Sequence, residues 1–166
     1  MQQIDTTAAR VADFDGQTDG ADQPNFVAFR VSRQDYCVDI LSVREISGAT
    51  HITPLPRSPA YVRGVINLRG AVVPVLDCPM RFGLKSPDAA ASHVIIVVQV
   101  GDRTLGLLVD EVSEILNIPP SAIKPIPDAE GTRPGQLVSG IIVLGKRMIR
   151  LVDLAQVAPE IDMASQ

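Results

Sequence analysis

From residue 26 onward the chain is built of short Val- and Ile-rich runs punctuated by Gly, Pro and charged pairs, the pattern of an all-β domain. The runs predict five strands over 26–31, 36–40, 43–47, 64–68 and 72–76. Five more are predicted over 94–100, 104–109, 112–116, 140–144 and 148–152. SRQD, RGA, GDR and GKR read as the turns between them. CPMRFGL and LAQVA, each directly after a strand, read as short helices, and SPAYVR as a helical turn. Residues 1–24 are small, polar and acidic with no sustained periodicity, which predicts a disordered tail. Residues 159–166 read as a flexible C-terminal one.

The two series of strands match each other without gaps in two blocks. Residues 29–46 lie on 98–115, which puts Val31 on Val100, Val43 on Val112, Glu45 on Glu114 and Ile46 on Ile115. Residues 61–78 lie on 137–154, which puts Gly64 on Gly140, Ile66 on Ile142, Leu68 on Leu144 and Asp77 on Asp153. Matched glycines and aspartates separate this from a chance overlay of Val-rich segments, and the period is too long for a solenoid. The expected architecture is a duplicated five-stranded unit: a first β-barrel with its connection over 25–92 and a second over 93–158. Sheets this small close to hide their edges, so two barrels packed by pseudo-twofold symmetry are predicted.

Composition narrows the function classes. The chain has 166 residues and a net charge of −4, and residues 1–24 account for it, with Asp5, Asp13, Asp15, Asp19 and Asp22 against Arg10 alone. The remainder is balanced and has no basic stripe with interleaved aromatics, which argues against nucleic acid as a partner. No apolar run reaches the length of a membrane span, so direct membrane insertion is not expected and the reading is cytoplasmic. Cys37 and Cys78 are then expected as free thiols, with no disulfide.

Candidate chemistry is sparse. His51 and His93 are the only histidines and neither has a partner at metal-ligand spacing. Nucleophile-elbow, phosphate-loop, dinucleotide and zinc motifs are all missing, so no catalytic residue, metal or cofactor is expected. A calcium loop begun at Asp13 or Asp15 would need Glu at its twelfth position, where Pro24 or Phe26 stands. Asp110, Glu111 and Glu114 read as the solvated face of a half-buried strand, and Asp77 and Asp153 as helix caps. Gly64 and Gly140 mark a backbone requirement, with a partner surface as the alternative. Asn67–Gly70 (NLRG) occurs in the first copy only. Arg69 there is either a solvated turn residue or a partner for a carboxylate such as Glu45.

FVAFRV, YCVDILSVREI, PAYVRGVINLRGAVVPVLD, RTLGLLVDEVSEIL and LVSGIIVLGKRMIRLVDL resemble the successive motifs of the CheW family over about residues 25–158, NLRG being the most specific. The resemblance implies a pair of SH3-like barrels that joins the histidine kinase CheA to methyl-accepting chemotaxis receptors in membrane-associated arrays, as a non-catalytic adaptor that is monomeric in isolation. It implies that the CheW-like regulatory domain of CheA binds one barrel and that the helical hairpin tip of a receptor lies in the groove between them. Carried over by position, Ile40, Val43, Glu45 and Arg69 stand near partner surfaces. Gly106, Val112, Ile115 and Gly140 match groove-forming positions of the second barrel. Val112 and Ile115 also fit plain core. Two departures stand out: Cys37 where the family has Gly, and Cys78-Pro79-Met80 after PVLD. Two alternatives remain open: an adaptor of a related chemosensory system controlling pili, development or second-messenger synthesis, and, more remotely, a small-ligand-sensing or enzymatic barrel.

Overall fold

A computed structural model describes residues 24–48, 50–84, 93–126 and 137–158. Of the expected tails, residues 1–23 and 159–166 lie outside the described residues. Among the described residues the chain forms β1 (Asn25–Val31), β2 (Gln34–Asp39), β3 (Val43–Gly48), β4 (Val62–Leu68), β5 (Ala71–Asp77) and helix α1 (Cys78–Arg81). It continues with β6 (Val94–Val100), β7 (Arg103–Val109), β8 (Glu111–Asn117), β9 (Ile123–Lys124), β10 (Val138–Leu144), β11 (Arg147–Val152) and helix α2 (Leu154–Val157). The all-β class and the two short helices are those expected. β2 ends at Asp39, one residue early, because the Asp39 carboxylate accepts from the Leu41 amide at 2.9 Å and starts a 3-10 turn, Ile40–Ser42. SPAYVR makes only a single turn, closed by the Val62 amide on the Pro59 carbonyl at 2.9 Å.

The strands form two sheets. Sheet A has the order β8-β1-β2-β11-β10-β9 and sheet B the order β3-β6-β7-β5-β4. The duplication is visible in them: β1, β2, β3, β4 and β5 correspond to β6, β7, β8, β10 and β11. The bridge of Thr53 to Val65 occupies the place that β9 takes beside β10. The two sequence copies do not each build one sheet, however. β1 and β2 of the first copy share a sheet with β8, β9, β10 and β11 of the second, and β6 and β7 share one with β3, β4 and β5. The copies join at the antiparallel pairs β1–β8 and β3–β6 and at the parallel pairs β2–β11 and β5–β7, the last two of which no hairpin can make, and the chain passes between the sheets. It crosses at Ile40–Ser42 and, in the second copy, at Asp110. The division at residues 92 and 93 therefore separates repeats of sequence, while each sheet is assembled from both.

The exchange explains why β1 and β6 read as nearly continuous apolar runs. Val27, Phe29 and Val31 enter a central cluster that also takes Val62, Leu76, Ile96, Val98, Leu105 and Leu107 from sheet B. The alternate side chains, Phe26 and Ala28, enter a separate cluster inside sheet A with Leu116, Ile118, Ile142 and Ile149. On β6, Ile95 and Val97 do the same inside sheet B with Ile66, Val73, Val75 and Leu108. A strand buried on both faces needs no polar alternation. Each fully buried side chain of this size contributes about 1.5–3 kcal/mol.

Candidate functional site

The four β-hairpins turn on two residues each, and their backbones differ between copies. Ser32 and Arg33 (φ +50° and +70°) and Arg69 and Gly70 (+52° and +87°) have positive φ at both central positions, the signature of a type I′ turn. In the second copy only Gly101 and Gly145 are positive, as type II′ requires at its first central position. The NLRG turn is therefore built differently from its counterpart. The Asn67 side chain accepts from the Gly70 amide at 3.1 Å, and Arg69 stands 83% exposed at the apex.

From that apex Arg69 Nη1 donates to Glu45 Oε1 at 2.8 Å. Glu45 lies on β3 at one edge of sheet B, and Arg69 caps the hairpin that forms the other edge, so the pair ties the two edges over the strands between. Sheet A repeats the clasp. Glu114, the counterpart of Glu45, is bound by Arg147 of the β10–β11 hairpin. The arginine comes from a different place, since the position equivalent to Arg69 is Gly145. In sheet A the clasp belongs to a ladder of alternating charge. Arg147 also reaches Asp35 at 3.5 Å, Asp35 meets Arg30 at 3.4 Å, and Arg30 meets Glu111 at 3.8 Å. The Glu114 hydrogen bond pushes the Arg147 pKa above its ordinary value. In sheet B the places of Arg30 and Asp35 hold Gln99 and Thr104, a neutral pair hydrogen-bonded at 3.0 Å. Glu114 and Glu111 are thus paired rather than simply solvated. Asp110 is half buried at the crossing point, where its Oδ2 accepts from the Ser32 amide at 2.8 Å. The repeat placing Glu114 on Glu45 was the available signal for the second pair; its arginine stands where the first copy has Ala71, so the repeat did not point to it.

The expected site residues divide accordingly. Glu45 and Arg69 touch. Ile40, Val43 and Val112 are half buried at the margin of the central cluster, and Ile115 is half buried on β8. Gly106 and Gly140 are buried and offer no surface. A Cβ on Gly106 would stand 3.0 Å from Ile95 Cγ2, and one on Gly140 would stand 3.0 Å from Ile123 Cγ2 and 3.2 Å from the Lys124 carbonyl oxygen. At Gly64 (φ +149°) the Thr53 carbonyl oxygen would be only 2.1 Å away. Both matched glycines therefore admit a neighbouring backbone, the first of the two readings. Gly106 also belongs to the same sheet as Val43, Glu45 and Arg69, whereas Val112, Ile115 and Gly140 belong to sheet A. The grouping of these four on one barrel is corrected by the strand exchange.

Asp77 and Asp153 are caps, as expected. Asp77 accepts from the Met80 amide at 3.1 Å and Asp153 from the Ala155 amide at 3.1 Å. Asp77 is almost fully buried and also holds Arg63 at 2.9 Å. Arg81 of α1 spans to α2, donating to the Val157 carbonyl at 3.1 Å and the Gln156 carbonyl at 2.9 Å, with its guanidinium over Tyr61. Cys37 and Cys78 are free and buried. Burial pushes Cys37 up to about 12 and, with Asp77 and Asp110 adding to it, raises Cys78 further. Neither is a poised nucleophile. Among the described residues no three His, Cys, Asp or Glu could hold a metal ion, and no helix is long and apolar enough to cross a membrane.

Two sheets sharing one core, with the unusual groups on hairpin tips and strand edges, define a domain that works through its surfaces. The CheW-like domain family matches residues 25–162, and the chain belongs to that family. It is 49% identical to the chemotaxis protein CheW of Rhizobium meliloti over 80% of this chain and 86% of that protein. It is 33% identical to the chemotaxis protein CheW of Klebsiella aerogenes over 94% and 92%. A crystal structure of the scaffolding protein TtCheW from Thermoanaerobacter tengcongensis superposes with a TM-score of 0.72 at 31% identity, covering 79% of this chain and 89% of that one.

Proposed function

We propose that this chain is a non-catalytic scaffold coupling methyl-accepting chemotaxis receptors to the histidine kinase CheA, working in the cytoplasm at membrane-associated receptor arrays. One observation carries the reading: two equivalent sheets share a single core, yet only one presents a left-handed NLRG apex with an exposed guanidinium clasped to Glu45. Equivalent folds with unequal tips suit a module that holds two different partners in fixed relation. The family match and the scaffolding relative support the same assignment. The Arg69 and Glu45 end of sheet B is assigned to the CheW-like regulatory domain of CheA, and the half-buried Ile40, Val43, Val112 and Ile115 to the partner-facing margin between the sheets. Aliphatic margins of this kind accept anchors spaced along one face of a helix.

The test is titration of the purified protein with a CheA regulatory domain and, separately, with a receptor signalling fragment. Saturable binding of both is expected. Binding of neither overturns the proposal.

A further inference from the structure

The β10–β11 hairpin carries an apolar, cationic face that its counterpart lacks. Val143 and Met148 are a cross-strand pair, 58% and 45% exposed. Ile141 pairs with both Arg150 and Lys124, which places these side chains on the same face, and Lys146 sits in the turn beyond. Residues 137–152 contain no carboxylate. Arg147 points to the opposite face, where Glu114 and Asp35 neutralise it. The positions of Ile141, Val143, Met148, Arg150, Lys124 and Lys146 are filled in sheet B by Val65, Asn67, Val72, Pro74, Thr53 and Gly70, none of them charged. The cations are thus a property of this face and not of the fold. Exposed apolar side chains ringed by three cations call for an apolar anchor flanked by carboxylates.

This chain carries such a segment. Asp13-Phe14-Asp15 puts an aromatic between two carboxylates inside a 24-residue stretch with five Asp against one Arg. The segment joins the domain at Pro24, whose carbonyl accepts from the Ile118 amide at 3.1 Å beside the start of β1. From there the Val143–Met148 pair lies three strand spacings across and seven residue rises along sheet A, about 14 Å and 23 Å. The ten residues from Phe14 to Pro24 span up to about 33 Å. We propose that residues 1–23 dock on this face as an intramolecular cover, with Phe14 against Val143 and Met148 and with Asp13 and Asp15 toward Lys124, Lys146 and Arg150. A partner seeking the face must then displace the segment. High salt releases it, because screening shortens from about 10 Å at 0.1 M to about 3 Å at 1 M.

The buried native thiols allow a single added cysteine to be labelled. In the full chain carrying Ala12→Cys with a nitroxide, the Val143 and Met148 methyl signals should be lost at low salt. They should return in 1 M NaCl and in the Lys124→Glu, Lys146→Glu variant. Retention of those signals at low salt overturns the proposal, as does stronger broadening at Val72 on the counterpart hairpin. So does broadening that persists when the nitroxide and the observed methyls sit on separate molecules, which would make the occupant a second copy.

Discussion

Arg69 holds a left-handed backbone (φ +52°) that Gly and Asn adopt more readily, and strain of this kind costs about 1–2 kcal/mol. Its ion pair to Glu45 returns little, since an 83% exposed guanidinium in water contributes a few tenths to about 1 kcal/mol. Asn-Gly is the favoured type I′ pair. Arg69→Asn should therefore leave the free energy of unfolding in urea unchanged or raise it by up to about 1 kcal/mol, while weakening binding to the CheA regulatory domain. Equal losses of stability and affinity would make Arg69 a structural residue. The cysteines make a second prediction. The folded state keeps the Cys37 proton up to about 12, whereas the unfolded chain releases it near 9. The thiol's contribution is complete below about pH 9 and is lost as pH rises toward 12, at up to about 1.4 kcal/mol per pH unit. Buried Cys78 adds a fall of the same sign, so urea unfolding at about pH 8 and about pH 10.5 should show the sum, and Cys37→Ala should reduce it by about half. An unchanged slope in the variant would contradict the assignment. At this scale the Glu45–Arg69 pair was legible, because NLRG broke the repeat and Glu45 was the nearby carboxylate. The Arg147 clasp was not, because Glu114, Asp35 and Arg30 meet it only through tertiary pairing.

Helices α1 and α2 are equivalent elements capped by equivalent aspartates, but their surroundings differ. Asp77 is 3% exposed and holds Arg63 as well as the α1 amide, whereas half-buried Asp153 serves α2 amides alone. Asp153→Ala should cost about 1 kcal/mol, the worth of a cap. Asp77→Ala should cost about 2–3 kcal/mol, because a buried partner is removed while Arg63, 44% exposed, is left to water. Matched thermal or urea unfolding of the two variants checks the ratio; equal losses would show that the ion pair contributes nothing. The helices and all four turns were legible from position after strands and from Gly and charged pairs. Strand ends were less so, because Asp39 stops β2 through its own side chain.

The duplication read from the sequence is real, but its halves do not each build a sheet, since sheet A takes two strands from the first copy and four from the second, and sheet B three and two. Hydrophobic patterning records which strands are buried on both faces and not which strand pairs with which, so the exchange was invisible to it. Fragments 24–92 and 93–158 should each lack native amide dispersion as monomers and regain it on equimolar mixing, by NMR. A native spectrum from either monomeric fragment would contradict the exchanged topology. The same exchange locks the two sheets into one body around the central cluster, which gives a scaffold a fixed relation between two bound partners. The most direct test of that role is co-sedimentation of CheA with receptor-containing membranes, with and without this protein. CheA should pellet at a markedly higher level when the protein is present, and Arg69→Asn should lower this recruitment while the protein itself still pellets with receptor. CheA recovery that is independent of the protein, under conditions where both binary contacts form, would contradict it.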